Sequence, residues 1–458
     1  MSAAMPDGAK PHTTPQRTPQ KAPNARAQSS APPARSLAPD IARGAMLLLI
    51  ALANVSWFLW GHPGTGALPH PATTDPLDAV LQFVMMVTVD ARALPMFAFL
   101  FGYGMVQFTR SRLERGIEEK TVRRFLLRRH LAMILIGFLH AALLFMGDIV
   151  GAYGLAGLLL VWVFFGRRDV TLAVWIGVFL TLLAAMAALS IVGGFLTNAS
   201  SPEVLEEMSR QNEGVGAAAM RDAAAGDVGY LESMPARVRT WVLVGIQGVI
   251  MVIPVCVLTG WLAARHRLLD EPWNHLRRLR ILAVVGIAVG WLGGVPGAMF
   301  HAGLLPLHES LFWTFLGLSF VTGLGGGIGY ASLFGLVAAR FERPTAGAGS
   351  GSGGGGDGRV GATENPRTSS TGIPRFWQLT ASVGRRSLTF YLWQSVIFAP
   401  LLSGWGLGLG SRIGTAGALG IAVLVWASCL PLAAWMDSRG SRGPAEAVLR
   451  RLTYGSRG

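Results

Sequence analysis

Cysteine is almost missing. Cys256 and Cys429 are the only two, and both lie inside apolar runs, so neither a disulfide framework nor a cysteine-based zinc site is expected. Charge is scarce as well. Asp, Glu, Lys and Arg make up 14% of the 458 residues, whereas an ordinary soluble domain carries about 25%. Carboxylates are scarcer than bases, 25 against 39, for a net charge of +14. Such a balance would point to nucleic acid if the bases formed one stripe. They sit instead in short loops between apolar runs, which excludes that partner and fits the positive-inside pattern of membrane proteins. Strict polar–apolar alternation is also lacking, so a β-barrel is not expected. No apolar core follows the first bases, as a cleavable signal peptide would require.

What is present is hydrophobic sequence, 51% of the chain, gathered into runs long enough to cross a bilayer core of about 30 Å at 1.5 Å per residue. Backbone groups in lipid must satisfy one another, and helices do this locally. The predicted spans are 44–60, 81–108 (with a break near Asp90-Ala91-Arg92), 131–146, 149–165, 170–196, 239–264, 281–300, 311–338, 387–404 and 413–436. The expected fold is therefore all-α, a polytopic transmembrane helical bundle of about ten helices.

Charge sets the expected orientation. The loop 109–130 carries Arg110, Arg112, Arg115, Lys120, Arg123, Arg124, Arg128 and Arg129, and every second loop after it is basic. The opposite loop 197–236 is acidic. Both termini are thus expected in the cytoplasm. Four regions follow: a disordered cytoplasmic tail (1–39), an eight-span body (40–340), a Gly/Ser-rich cytoplasmic linker (341–383) and a two-span C-terminal unit (384–458).

Polar residues inside a membrane need a partner or a purpose. Asp40 and Arg43 open the first span; Asp40 follows a proline as an N-cap would, and the two serve either as a cap with a snorkelling arginine or as a ligand-binding pair. Asn54 lies near the outer end of that span and His62 eight residues beyond; Asn54 is an interhelical hydrogen bond or a catalytic group. His140 and Asp148 fall near one membrane face. They form either a base with its orienting carboxylate or a structural bond between helices. Tyr391, Gln394 and Ser395 make a polar stripe within about one turn, preceded by Arg385 and Arg386 at the cytoplasmic mouth. His301 and His308 share a short outer loop, but their spacing fits no helical pair and Pro306 intervenes, so no metal site is expected. The glycine-rich runs 101–104 and 323–329 lack a following Lys-Ser or Lys-Thr and read as close helix-packing surfaces.

Several segments together resemble a known family. They are Asp40-Ile-Ala-Arg43-Gly44 with Asn54, the run from Met96 to Gly104, Gly137-Phe-Leu-His140 with Gly147-Asp148, and the C-terminal motifs Gly384-Arg385 to Ser395, Gly404-Trp-Gly-Leu-Gly-Leu and Gly443-Pro444 to Gly455. The chain resembles the YeiB-like family of bacterial inner-membrane proteins, whose C-terminal domain has no assigned function. That family is similar in turn to transmembrane acyltransferases, including heparan-α-glucosaminide N-acetyltransferase and the sugar O-acyltransferases. The likeness implies an opening Asp-x-x-Arg-Gly with a polar residue about three turns on, here Asn54, and a catalytic histidine on the non-cytoplasmic side, for which His62 is the nearest candidate. In the O-acyltransferases the position of Asn54 is a histidine.

Two functions from different classes follow as expectations. In the first, a cytoplasmic acyl-CoA serves as co-substrate, with no permanently bound cofactor. Arg43, Arg128, Arg129 or Arg385 meets its phosphates, and His140 with Asp148, or His62, deprotonates a small-molecule, glycan or lipid acceptor. Asn54 stabilises the oxyanion. The alternative is a transporter or flippase for a small or lipid-linked molecule, with the Asp90-Ala91-Arg92 break marking its binding site. A membrane scaffold without small-molecule chemistry is the third.

Overall fold

The computed structural model describes residues 36–64, 69–212, 216–342 and 373–455. Residues 1–35 of the expected tail and 343–372 of the expected linker lie outside the described residues. Every regular element described is helical: α1 (Ala38–Val55), α2 (Pro76–Thr88), α3 (Ala93–Leu113), α4 (Glu119–Leu143), α5 (Val150–Phe164), α6 (Asp169–Asn198), α7 (Pro202–Asn212), α8 (Ala217–Ala225), α9 (Met234–Met251), α10 (Ile253–Arg265), α11 (Leu276–His301), α12 (Leu316–Phe341), α13 (Arg375–Arg385), α14 (Ser387–Leu402), α15 (Thr415–Ser438) and α16 (Pro444–Tyr454).

Each predicted span is a helix, but they are not equal. Seven segments are long and apolar enough to cross a membrane, the broken pair α2–α3 counting as one of them, and the bent pair α9–α10 makes an eighth. The 51° bend of that pair falls where Pro254 enters the first turn of α10, a residue that cannot donate to the preceding turn. The other two expected spans, α5 with 15 residues and α14 with 16, are short apolar helices. At 1.5 Å per residue they cover about 22–24 Å, less than the bilayer core.

The α2–α3 break lies where the sequence placed it. Ala91 has φ +57°, and the disrupted turn frees carbonyls that Arg92 recovers: Nη1 donates to Met86 O at 3.0 Å and to Asp90 O, while Nη2 reaches across to Gly290 O of α11. In lipid an unpartnered carbonyl costs several kcal/mol, so a buried arginine is a workable brace.

Helices in lipid gain little from hydrophobic association and rely on close contact instead. A Cβ on Gly102 of α3 would lie 2.1 Å from Val257 O, and one on Gly260 of α10 would lie 1.9 Å from Phe99 O. The two glycines let α3 and α10 meet backbone to backbone. The run 323–329 does the same for α12 against α11 and the α2–α3 break. Helix α1 packs against α3, α12, α13, α14 and α15, tying the N-terminal and C-terminal helices into one core.

The expected cap at Asp40 is corrected. Helix α1 begins at Ala38, with Pro39 in its first turn, so Asp40 lies inside that turn and Leu37 stands at the N-cap. Glu342, just past α12, takes that place: it accepts from Leu37 N and from Ser36 Oγ, the latter at 2.9 Å. Glu446 likewise accepts from Leu388 N (2.9 Å) and Thr389 N (3.2 Å) at the start of α14.

Replacing Gly260 with Leu should cost about 1–3 kcal/mol of stability by overpacking, whereas Gly177→Ala, where nothing lies within 4 Å, should be neutral; thermal unfolding in detergent measures both. Burial holds the Glu342 carboxyl above its usual range, with the Leu37 and Ser36 hydrogen bonds pulling the other way. The folded state then binds this proton more tightly than the unfolded chain. The corresponding stability is full below the ordinary glutamate value and is lost as pH rises through the raised one. Glu342→Gln should flatten that part of the Tm–pH curve, and an unchanged slope would assign the titration to another group.

Candidate functional site

The α4–α5 turn builds a histidine–carboxylate pair. Asp148 precedes α5 by two residues, at the positive end of that helix, where a carboxylate is favoured. Its Oδ2 accepts from Gly151 N at 2.8 Å and from Trp241 Nε1 of α9 at 3.3 Å, and its Oδ1 lies 2.8 Å from His140 Nδ1. Gly137, one turn before His140, makes room: a Cβ there would lie 2.4 Å from Asp148 Oδ2 and 2.2 Å from Gly151 N. The spacing Gly-Phe-Leu-His is thus a packing requirement of the pair.

The pairing fixes the ring. With Nδ1–H donated to Asp148, the lone pair of His140 falls on Nε2, the tautomer a general base needs. His140 is 4% exposed, and its Nε2 is buried with no partner among the described residues. The Tyr391 ring meets the imidazole edge-on at 5.2 Å. Its hydroxyl accepts from Ile149 N at 3.2 Å, holding the turn that carries Asp148. Gln394, one turn along α14, donates to Leu47 O of α1 at 2.9 Å, while its Oε1 has no partner among the described residues. Ser395 is buried beside it. The polar stripe of α14 therefore reaches both α1 and the His140 turn.

The acidic loop roofs this region. Arg237 Nε donates to Ala142 O and the Tyr230 hydroxyl donates to Leu143 O, each at 2.9 Å, so both satisfy the last carbonyls of α4. Gly404 N donates to Ala225 O at 2.8 Å, joining the roof to the end of α14. Arg221, fully buried on α8, donates to His62 O at 2.5 Å and pairs with Asp222 at 3.2 Å. Burial lowers its pKa, the Asp222 charge opposing.

The remaining candidates fall elsewhere. Asn54 is half-buried on α1 and takes no hydrogen-bond partner among the described residues. His62 lies in the loop after α1, its Nε2 buried without a partner among the described residues. Asp40 and Arg43 pair at 3.2 Å at the other end of the bundle, where Arg43 also approaches Gln107 Oε1 at 3.5 Å. Arg112 lies over the Phe108 ring there, and Arg129 makes no hydrogen bond among the described residues while facing the charges of Arg43 and Arg112. Arg385 is held by Asp437 at 3.1 Å. His301 pairs with Gln82 Oε1 at 2.9 Å, whereas His308 caps a short turn through Ser310, so the two part company.

One constellation escaped the sequence reading. His70 Nε2 lies 2.5 Å from Asp90 Oδ2, both buried, and the His70 and His301 rings are 6.0 Å apart. His70, not His62, is the histidine of this loop that a carboxylate orients. The break at Asp90 was legible; the partner, brought back by the loop after α1, was not.

Seven helical segments long and apolar enough to cross a bilayer, with a bent pair as an eighth among the described residues, define an α-helical multi-pass membrane protein. Residues 368–456 match a family model described as "Protein of unknown function (DUF418)". The chain is 27% identical over 445 residues to the uncharacterized protein YeiB of Escherichia coli (strain K12), covering 93% of this chain and 97% of that one. It is 23% identical over 382 residues to the uncharacterized protein YxaH of Bacillus subtilis (strain 168), covering 81% of each. These matches support the likeness to the YeiB-like family that the motifs carry. No solved structure matches it.

Proposed function

We propose that the chain is a plasma-membrane acyltransferase that moves an acyl group from a cytoplasmic acyl-CoA to a hydroxyl or amine of an envelope acceptor. The observation that carries this reading is the buried His140–Asp148 pair with Nε2 unpartnered. His140 Nε2 takes the proton from the acceptor as its oxygen or nitrogen attacks the thioester carbonyl. Asp148 stabilises the imidazolium. Collapse of the tetrahedral intermediate breaks the carbon–sulfur bond, and the proton passes to the departing thiolate, giving acyl-acceptor and free CoA thiol.

The donor's anionic end has a counterpart in Arg43, Arg112 and Arg129 at the basic mouth. Arg129 and His140 share α4, eleven residues or about 16 Å apart, a gap that an extended pantetheine arm bridges. The orientation that goes with this reading puts both termini and the loop 109–130 in the cytoplasm and 197–236 outside. A second reading, transport of a small or lipid-linked molecule, is favoured by the broken α2–α3 segment.

Purified protein in lipid should release free thiol from an acyl-CoA when an acceptor is supplied. His140→Ala should reduce turnover by about 100-fold or more with donor binding retained, and Asp148→Asn should do the same through the wrong tautomer. Absence of release from every donor, together with solute uptake into vesicles, would replace transfer with transport. For orientation, Glu206→Cys should react with an impermeant thiol reagent in intact cells and Lys120→Cys only after lysis; native Cys256 and Cys429 are buried. The inverse pattern would invert the topology.

A further inference from the structure

The outer face of α4 changes character along its length. Arg124, Arg128, Leu131, Leu135 and Leu139 follow one another at spacings of three or four residues, so they form one stripe. All five are exposed, Leu131 by 54%. Neither arginine makes a hydrogen bond or ion pair among the described residues. A bilayer accounts for the switch. The leucines meet acyl chains, and Arg128, about 4.5 Å of helix rise from Leu131, stands at headgroup depth.

Helix α16 lies beside this stripe. It packs on α4 and α14, and its Tyr454 ring meets Phe125 of α4 edge-on at 4.8 Å. Thr453 is buried on its inner face, while Val448 and Leu452, one turn apart, are exposed on the outer one, Val448 by 49%. At about 100° per residue, Arg451 falls between Val448 and the Tyr454 side that meets α4. By the same count Arg128 is rotated about 40° from Arg124 toward the Phe125 side that meets α16. The two exposed arginines therefore stand on opposite rims of the α4–α16 groove. Arg451, like Arg128, has no hydrogen bond or ion pair among the described residues. Glu446, the one carboxylate of α16, is turned inward onto Leu388 N and the Thr389 hydroxyl.

Charge and apolar surface together name the occupant. A soluble phosphate would use the arginines and leave the leucines bare. A zwitterionic headgroup would bring its own cation to a rim that already carries two. We infer that the α4–α16 groove holds an anionic phospholipid, its phosphate between Arg128 and Arg451 and its acyl chains along Leu131 and Leu135. Guanidinium groups offer phosphate oxygens paired donors. The groove uses neither His140 nor Arg43 and Arg129, so the acyl-transfer reading stands or falls separately.

Full-length protein in neutral detergent is titrated with dioctanoyl phosphatidylglycerol, dioctanoyl phosphatidylcholine and inorganic phosphate, and bound molecules are counted by native mass spectrometry. Phosphatidylglycerol should bind at least fivefold more tightly than phosphatidylcholine. Arg128→Gln and Arg451→Gln should each weaken it about fivefold, with lipid-free thermal unfolding unchanged. Arg277→Gln with Arg280→Gln, equally exposed on α11 above Ile281 and Val284, should leave it unaltered. Equal binding of the two lipids, or an equal loss in the α11 variant, would reduce the groove to general surface charge and overturn the assignment. Displacement of the lipid by millimolar inorganic phosphate, or full binding in both single variants, would overturn it as well.

Discussion

Lipid offers no hydrogen bonds, and this constraint organises the molecule more than any single contact. A helix end or break near the bilayer core must be satisfied by the protein itself. Arg92 braces the α2–α3 break, Arg237 and Tyr230 close the end of α4, and Asp148 receives an early amide of α5. Glu342 and Glu446 do the same for the starts of α1 and α14. Most polar side chains that look costly in the sequence are paid for in this way.

Against that background the exceptions carry information. His140 Nε2, Gln394 Oε1 and Arg92 Nε are among the buried side-chain atoms that have no partner among the described residues, as are His62 Nε2 and both ring nitrogens of His130. In a protein that satisfies its helix ends so thoroughly, a free donor or acceptor next to a fixed charge is where a ligand has something to gain. His140 and Arg92 lie on different helices and do different work: one is a base aimed by a carboxylate, the other a cation bracing a helix break.

Close packing supplies the rigidity these arrangements need. Gly102 with Gly260 and Gly137 beside Asp148 let backbones approach to distances at which even a methyl group would clash. The His140 turn, between α4 and the short helix α5, is buried beneath the acidic-side loop, where Arg237 and Tyr230 cover it.

The sequence by itself determined the class of fold, the helical runs, the α2–α3 break and the glycine contact surfaces, because hydrophobic run length and residue size act locally along the chain. It also paired His140 with Asp148, eight residues apart across one turn. It misplaced the cap of α1, since the capping carboxylate Glu342 lies 305 residues from Leu37. It treated α5 and α14 as full spans, because composition reports apolarity but not where a helix ends. The arginine brace and the roof over α4 were decided only by the tertiary structure: each joins residues distant in the chain, and no local pattern records which carbonyl a buried arginine will reach.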